Sequence, residues 1–212
     1  MKNNKYNTPI FQNLSYGGGG GTVEGLDTST ITDFSYFGQN NRFGTGEILT
    51  GLNTKSGTNF SGMFSNCRSL TTIPQLDTSN GTNFSGMFDN CSNLTTIPQL
   101  NTSKGTFFSS MFNNCSNLTT IELTSFVASQ NIFYNCSALE NLTITGTITV
   151  NNNYLNLSYS PKLTVDSLMS VINALSDNTG KTTYTVTLGA TNLAKLTDEQ
   201  KQIAIDKNYT LA

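Results

Sequence analysis

One block of sequence recurs almost unchanged in this chain of 212 residues. Residues 57–80 have the sequence GTNFSGMFSNCRSLTTIPQLDTSN, and residues 81–104 have the sequence GTNFSGMFDNCSNLTTIPQLNTSK. A third copy, GTFFSSMFNNCSNLTTIEL, begins at Gly105. Self-similarity at a fixed period of roughly 20 to 50 residues is the signature of stacked repeats. One such unit cannot bury its apolar side chains alone, so the chain is constrained to fold as an array.

Three landmarks set the register of the array: a Phe, a Cys three positions later and a Leu three positions beyond it. They recur at one constant interval in the three copies, at Phe64, Phe88 and Phe112, at Cys67, Cys91 and Cys115, and at Leu70, Leu94 and Leu118. A fourth unit is shorter by three positions, and a degraded fifth unit has Leu157, Ser160 and Leu163. Upstream, residues 27–37 (DTSTITDFSYF) resemble the start of a unit that is two positions too long. The repeat array is therefore predicted to span residues 22–163.

Each unit combines a strand pattern with a compact aromatic segment. In residues 94–100 an apolar side chain occurs at every third position among threonines, which predicts a short strand with a turn at Pro98. Residues 83–90 (NFSGMFDN) predict a short helical or 3₁₀ turn packed behind that strand. The predicted fold class is an α/β repeat solenoid with one strand and one short helix per 24-residue turn.

The segments MFSNCRSLTTI, MFDNCSNLTTI and MFNNCSNLTTI, with the partial NIFYNCSALENLTI, carry a family resemblance. They resemble the leucine-rich repeats of BspA-like surface proteins and the related repeats of mycoplasma and gut-bacterial proteins. The resemblance covers about two thirds of the chain. It implies a right-handed leucine-rich-repeat solenoid of strands and helices and, in many members, adhesion at a surface.

The N-terminal segment is predicted to be separate from the array. Five consecutive glycines at residues 17–21 are typical of a flexible linker. The residues before them contain one apolar island, Pro9, Ile10 and Phe11. Residues 1–21 are therefore either a disordered tail or a docking peptide that becomes ordered on a capsid or tail protein.

Residues 164–212 are predicted to form a small α/β cap on the last unit. The spacing of apolar residues predicts a helix over 166–176, with Thr164 or Asp166 as its N-cap. Residues 182–188 alternate as a strand does, and Thr197 to Gln200 matches a capping box that opens a second helix. This part resembles the C-terminal caps of repeat proteins from phages and prophages of gut anaerobes.

Little in the sequence suggests catalysis. The chain has no histidine, which removes the common triads and most general-base chemistry, and its acidic residues are scattered through turns. The four cysteines do not have zinc-ligand spacing. They form either a ladder of buried thiols or, at the spacing of roughly 5 Å between adjacent rungs, a disulfide. We expect a protein that is not an enzyme and has no cofactor and no metal.

Composition narrows the range of partners. Charged residues make up 11% of the chain, against about 25% in ordinary domains, and the formal net charge is −2. Since no Lys or Arg run is present, no nucleic-acid partner is expected. No run of 18 apolar residues predicts a membrane span, and the N-terminus lacks the pattern of a signal peptide. We expect a virion protein assembled in the host cytoplasm, and alternatively a bacterial cell-surface protein.

The exposed face of the predicted strands is the candidate recognition surface, since extended faces serve that purpose in solenoids. Its expected members alternate with the apolar rungs and are Thr72, Gln75, Thr96, Gln99, Thr120 and Glu122. The predicted function is a phage head or tail fibre, or a decoration subunit, that adheres to a host-surface protein or glycan. A simply solvated strand face, a purely structural spacer and a homo-oligomer remain open.

Overall fold

The computed structural model describes residues 27–40, 49 and 51–212. The predicted docking peptide with Pro9, Ile10 and Phe11, and the glycine linker after it, lie outside the described residues.

Successive units lie against one another in register through two columns of stacked phenylalanine rings. Neighbouring ring centroids in each column are 5.5 to 5.9 Å apart. The columns are Phe34, Phe60, Phe84 and Phe108, and Phe64, Phe88, Phe112 and Phe133. All eight side chains are buried. Because a buried Phe or Leu contributes about 1.5–3 kcal/mol, these columns and the Leu and Met rungs beside them supply the core of the array.

The longer first unit joins the same column. The interval from Phe34 to Phe60 exceeds the regular one by two positions, yet their rings are 5.7 Å apart and 5° from parallel. Asp33 and Asn59 form a parallel bridge, as the equivalent residues of later units do. The two extra residues therefore do not disturb the stacking of this unit on the next.

The aromatic segment of each unit is a run of single turns, so the helical or 3₁₀ turn predicted at residues 83–90 is present as turns with i to i+3 hydrogen bonds and not as a helix. Hydrogen bonds of the i to i+3 type alternate with bonds to the next unit, such as the 2.9 Å bond from Phe88 N–H to Met111 O. Gly86 and Asn90 have φ values of 61° and 60°. A residue in the left-handed conformation interrupts a right-handed helix, so these two residues prevent residues 83–90 from forming a continuous helix.

The strand predicted at residues 94–100 is also absent from the described chain as a continuous element, and only isolated parallel bridges occur there. Pro98 has no N–H group and cannot donate to the ladder. The third copy has Glu122 where the second has Pro98, and there a strand does form, β1 (Thr120–Leu123). The proline thus explains why the copies that contain it form no continuous strand and contact their neighbours through isolated bridges and side chains.

The strands after β1 continue the stack in parallel. β1 pairs with β3 (Asn141–Ile144), matching Ile121 with Leu142. β2 (Phe126–Val127) pairs with β4 (Ile148–Thr149). In β1 and β3 the core-facing side chains alternate with more exposed ones, so the buried Ile and Leu rungs extend through the fourth unit.

The C-terminal part contains the predicted helices and strand with shifted bounds. The helix expected over 166–176 is α1 (Val165–Ala174), and Thr164 is its N-cap because its hydroxyl accepts the N–H of Ser167. The capping box is confirmed, since Thr197 and Gln200 exchange both of its hydrogen bonds. One short helix was not predicted. The elements after α1 are β5 (Tyr184–Val186), α2 (Ala190–Leu193), α3 (Asp198–Asp206) and β6 (Tyr209–Leu211), with β5 parallel to β6.

Helix α1 covers the outer edge of β3. The hydroxyls of Ser167 and Ser170 accept hydrogen bonds from the N–H groups of Leu142 and Ile144 at 2.9 and 2.8 Å. Unpaired N–H groups on a strand edge invite pairing with another chain, and these two serines remove that opportunity. Within the described residues, none of the helices is long and apolar enough to cross a membrane.

Candidate binding surfaces

Three exposed threonines recur at the unit spacing, and we call Thr72, Thr96 and Thr120 the threonine row. Thr96 and Thr120 face each other in a parallel bridge. In the part of the chain that the structure describes, the three hydroxyls make no hydrogen bond to protein. The row is therefore a line of neutral donors and acceptors presented to solvent.

A second set of exposed threonines has a different role. The hydroxyls of Thr58, Thr82 and Thr106 each donate to a backbone carbonyl of the preceding unit, at 3.1 to 3.2 Å. This second set, which we call the tie threonines, recurs at the same interval as the threonine row. Its hydroxyls join neighbouring units, whereas those of the threonine row do not.

The predicted glutamines are exposed, but one of them is tied down. Gln75 Nε2 donates to the backbone oxygen of Gln99 at 3.0 Å and to that of Leu76 at 3.2 Å. The Gln75 side chain therefore links the first and second copies by a hydrogen bond. The side chain of Gln99 makes no hydrogen bond to any described residue, so it is the glutamine that remains available to a ligand.

Glu122, the last predicted member of the exposed strand face, lies where the third copy is one residue shorter than the second. The bridges pair Thr96 with Thr120 and Leu100 with Leu123. Four positions separate the first members of these pairs and three separate the second members, so the second copy contains one extra residue. Glu122 lies opposite Pro98 when counted from the first bridge and opposite Gln99 when counted from the second, so this one residue spans the positions of both, and it is only partly exposed.

The turns that carry the acidic residues are structural. Asp77 Oδ1 accepts the N–H of Ser79 at 3.0 Å and its hydroxyl at 2.6 Å. These hydrogen bonds, the side-chain one first, lower the pKa of Asp77. Asn53 and Asn101 make the same turn in neighbouring units. An amide replaces the carboxylate without loss of the turn, which is the behaviour expected of a turn residue and not of a catalyst.

The four cysteines are free and buried. Each thiol lies one rung above the backbone of the preceding unit, and Cys91 Sγ donates to Phe64 O at 3.0 Å. Burial raises the pKa of Cys91 and Cys115 well above the ordinary thiol value, and that of Cys136 to about 12. A thiol that stays protonated is a poor nucleophile and a poor metal ligand, so these residues act as apolar rungs. Within residues 27–40, 49 and 51–212, no cluster of His, Cys, Asp or Glu could hold a metal ion.

Sequence reasoning missed a cleft beside the last two units. It has a volume of about 210 Å³ and is lined by Gln130, Asn131, Tyr134, Asn153, Tyr154, Asn156 and Tyr159. The signal for it lay in departures from the repeat. Tyr134 stands where the earlier copies have Asp89 and Asn113, and Tyr159 stands where the fourth unit has Asn135.

Comparison with known proteins gives one result. Residues 8–126 match the model of a family described as "Mycoplasma protein of unknown function, DUF285". The chain belongs to this family. The matched segment includes the whole threonine row and ends before the tyrosine-lined cleft. No curated protein and no solved structure matches the chain.

Proposed function

We propose that the protein is a non-enzymatic adhesion protein, a leucine-rich-repeat solenoid of the BspA-like kind that binds a host-surface protein or glycan through its threonine row. The observation that carries the proposal is the difference between the two sets of exposed threonines. The hydroxyls of the tie threonines donate hydrogen bonds to the preceding unit. The threonine row, at the same interval, leaves its hydroxyls free of the rest of the described protein.

The chemistry of the row suits a neutral partner. Units that pair as parallel strands place equivalent side chains about 4.8 Å apart, so the row offers regularly spaced hydroxyls. Each contact is weak, since a single neutral hydrogen bond contributes only about 0.5–1.5 kcal/mol. Many copies on one particle convert weak contacts into strong attachment through effective concentration. Adhesion by multivalent display is the function that fits such a surface.

The test compares two triple variants of the full chain. Thr72→Ala, Thr96→Ala and Thr120→Ala together are expected to abolish binding to mucin-coated and bacterium-coated sensors while leaving the melting temperature within a degree or so. The matched control replaces the tie threonines by alanine and is expected to lower the melting temperature and keep binding. Equal binding by the wild type and the threonine-row variant would contradict the proposal of adhesion through the row and would favour a purely structural role.

The carrier that we propose is a bacteriophage virion. The support is the resemblance of residues 164–212 to the caps of phage and prophage repeat proteins, together with a surface made polar by Asn, Thr and Ser instead of charge. A bacterial cell surface is the second candidate. Its support is the resemblance of the repeats to those of BspA-like surface proteins.

Mass spectrometry of fractions from the source culture distinguishes the two carriers. Stoichiometric amounts of the chain in density-banded particles would support the virion. Its presence in envelope fractions and absence from banded particles would move the protein to the bacterial surface. The binding test of the threonine row applies unchanged in either location.

A further inference from the structure

The cleft between the fourth and fifth units interrupts a regular feature of the array. Along the stack, Asn114 Nδ2 donates to Asn90 Oδ1 at 2.9 Å and Asn135 Nδ2 donates to Asn114 Oδ1 at 3.0 Å. The next residue at this position is Tyr159, which has no amide to continue the ladder. Its ring packs on that of Tyr134, with centroids 4.4 Å apart. The repeat has been replaced here by an aromatic surface.

The tyrosines of the cleft are unusually exposed for large rings. Tyr134, Tyr154 and Tyr159 are 40%, 52% and 44% exposed, and in the described part of the chain their hydroxyls have no hydrogen-bond partner. The contrast is Tyr209, which is buried and donates to Ser176 O at 3.0 Å. Burial and hydroxyl pairing are what a structural tyrosine gains from its surroundings. The cleft tyrosines are less buried than Tyr209, and their hydroxyls form no hydrogen bond with the described residues.

Two amides in the cleft are held in fixed orientations. Asn153 Oδ1 accepts the N–H of Thr185 at 2.8 Å, and Asn156 Oδ1 accepts the N–H of Ser158 at 3.0 Å. A backbone N–H can only donate, so the oxygen of each amide must face it and the NH₂ group is left as a donor. Gln130 supplies a further amide that has no partner among the described residues. The cleft thus combines rings with fixed donors.

We infer that this cleft binds the terminal sugar residue of a neutral glycan. A pyranose ring presents C–H groups that pack on an aromatic ring and hydroxyls that hydrogen-bond to amides and phenols. None of the seven lining residues is charged, so nothing in the cleft favours a phosphate, sulfate or carboxylate. A volume of about 210 Å³ is smaller than the roughly 300 Å³ at which drug-sized pockets begin, which suits one ring.

A quaternary ammonium group is the competing ligand, because tyrosines also form aromatic cages. Such a cage holds the cation over ring faces, within about 6 Å of each centroid. Here the rings of Tyr134 and Tyr159 are 4.4 Å apart and contact each other, so no cation fits between them. The fixed amide donors also have no role toward a ligand that accepts no hydrogen bonds. Both observations favour the sugar.

The experiment measures binding of glucose, galactose, mannose and N-acetylglucosamine to the full chain, with choline chloride in parallel. Saturation-transfer NMR detects contact, and a change in the intrinsic tyrosine emission, which no tryptophan masks, gives a second readout from eight tyrosines that include the three of the cleft. At least one sugar is expected to bind in the millimolar range. Tyr154→Ala is expected to weaken it about tenfold, the loss of one stacking contact, while Tyr154→Phe retains most of it.

The matched control is Phe107→Ala, which removes a 62% exposed ring from the third unit. This variant is expected to bind sugar as the wild type does, and so is the threonine-row variant, because the cleft shares no residue with the row. Absence of binding by every sugar would overturn the inference. So would sugar binding that survives Tyr154→Ala, or choline binding that depends on the same tyrosine.

Discussion

Ser160 occupies the cysteine position of the fifth unit, and its replacement by alanine should stabilise the protein. In the fourth unit the equivalent Cys136 donates its thiol hydrogen to Phe112 O at 3.1 Å. Ser160 is fully buried, but within the described residues its Oγ has no hydrogen-bond partner. The fifth unit therefore retains a polar atom in the core without the bond that the position normally makes.

The size of the effect follows from two opposing terms. A buried hydroxyl without a partner costs about 1–3 kcal/mol, and alanine removes that cost. The missing oxygen leaves a void of roughly 10 Å³, which costs about 0.2 kcal/mol at about 24 cal/mol per Å³. The desolvation term is the larger, so Ser160→Ala should raise the free energy of unfolding by about 1–3 kcal/mol. In a chain of this length that corresponds to a rise of about 2–12 °C in the melting temperature.

Thermal and urea unfolding of the wild type and Ser160→Ala, followed by circular dichroism, measure the change. The matched control is Cys136→Ala, which removes a thiol that is both packed and hydrogen-bonded and should lower the melting temperature. A decrease in stability for Ser160→Ala would show that the hydroxyl is paired, and it would refute the reasoning.

Three further predictions concern the rungs and turns of the array. Phe88→Ala should cost about 3–5 kcal/mol in urea unfolding, because the ring is buried between two others at centroid distances of 5.7 Å. Asp77→Asn should leave the free energy of unfolding at neutral pH nearly unchanged and weaken its decrease below about pH 4. The pKa of the Asp77 carboxyl is lowered in the folded state, so its contribution to stability is present above the unfolded-state pKa. That contribution is lost as pH falls through the folded-state pKa, and asparagine has none to lose. The native thiols should not react with a thiol reagent at about pH 8 and should all react in denaturant; rapid labelling of native protein would contradict their burial.

The positions of the landmark phenylalanines were predictable because they depend only on a repeated pattern of side chains. Phe64, Phe88 and Phe112 recur at one interval and stack directly. The two-residue excess in the first unit was also visible in the sequence. Cap elements with strong local signals, such as the capping box at Thr197, were predictable for the same reason.

The conformation inside each unit was harder to predict, although its signals are present. Gly62 and Gly86 share one position in the copies, and Asn66 and Asn90 share another. Gly and Asn are the residues that most readily adopt positive φ, and all four do so here. The helical interpretation gave weight to the spacing of aromatic residues and not to these turn formers. The proline that prevents a strand in the second copy was interpreted only as a turn.

The cleft could not be predicted from the repeat, because it exists where the repeat fails. Tyr134 and Tyr159 are in different units, and their contact requires the lateral stacking of those units. Tyr154 stands where the fourth unit has Gln130 and the earlier copies have Ser109 and Ser85. The sequence marks all three only as departures from a consensus, and the meaning of a departure depends on what lies beside it in space.

Deletion of one complete unit tests most directly the claim that the chain is a solenoid of interchangeable rungs. Removing residues 81–104 joins Asn80 to Gly105, which occupies the position of Gly81, so the array should close up with its register intact. We expect a folded chain with a single cooperative unfolding transition and a lower melting temperature. Removing residues 81–92 instead shifts every later landmark by half a unit and should abolish folding. Loss of folded structure on deletion of the full unit, or equal tolerance of both deletions, would contradict the account.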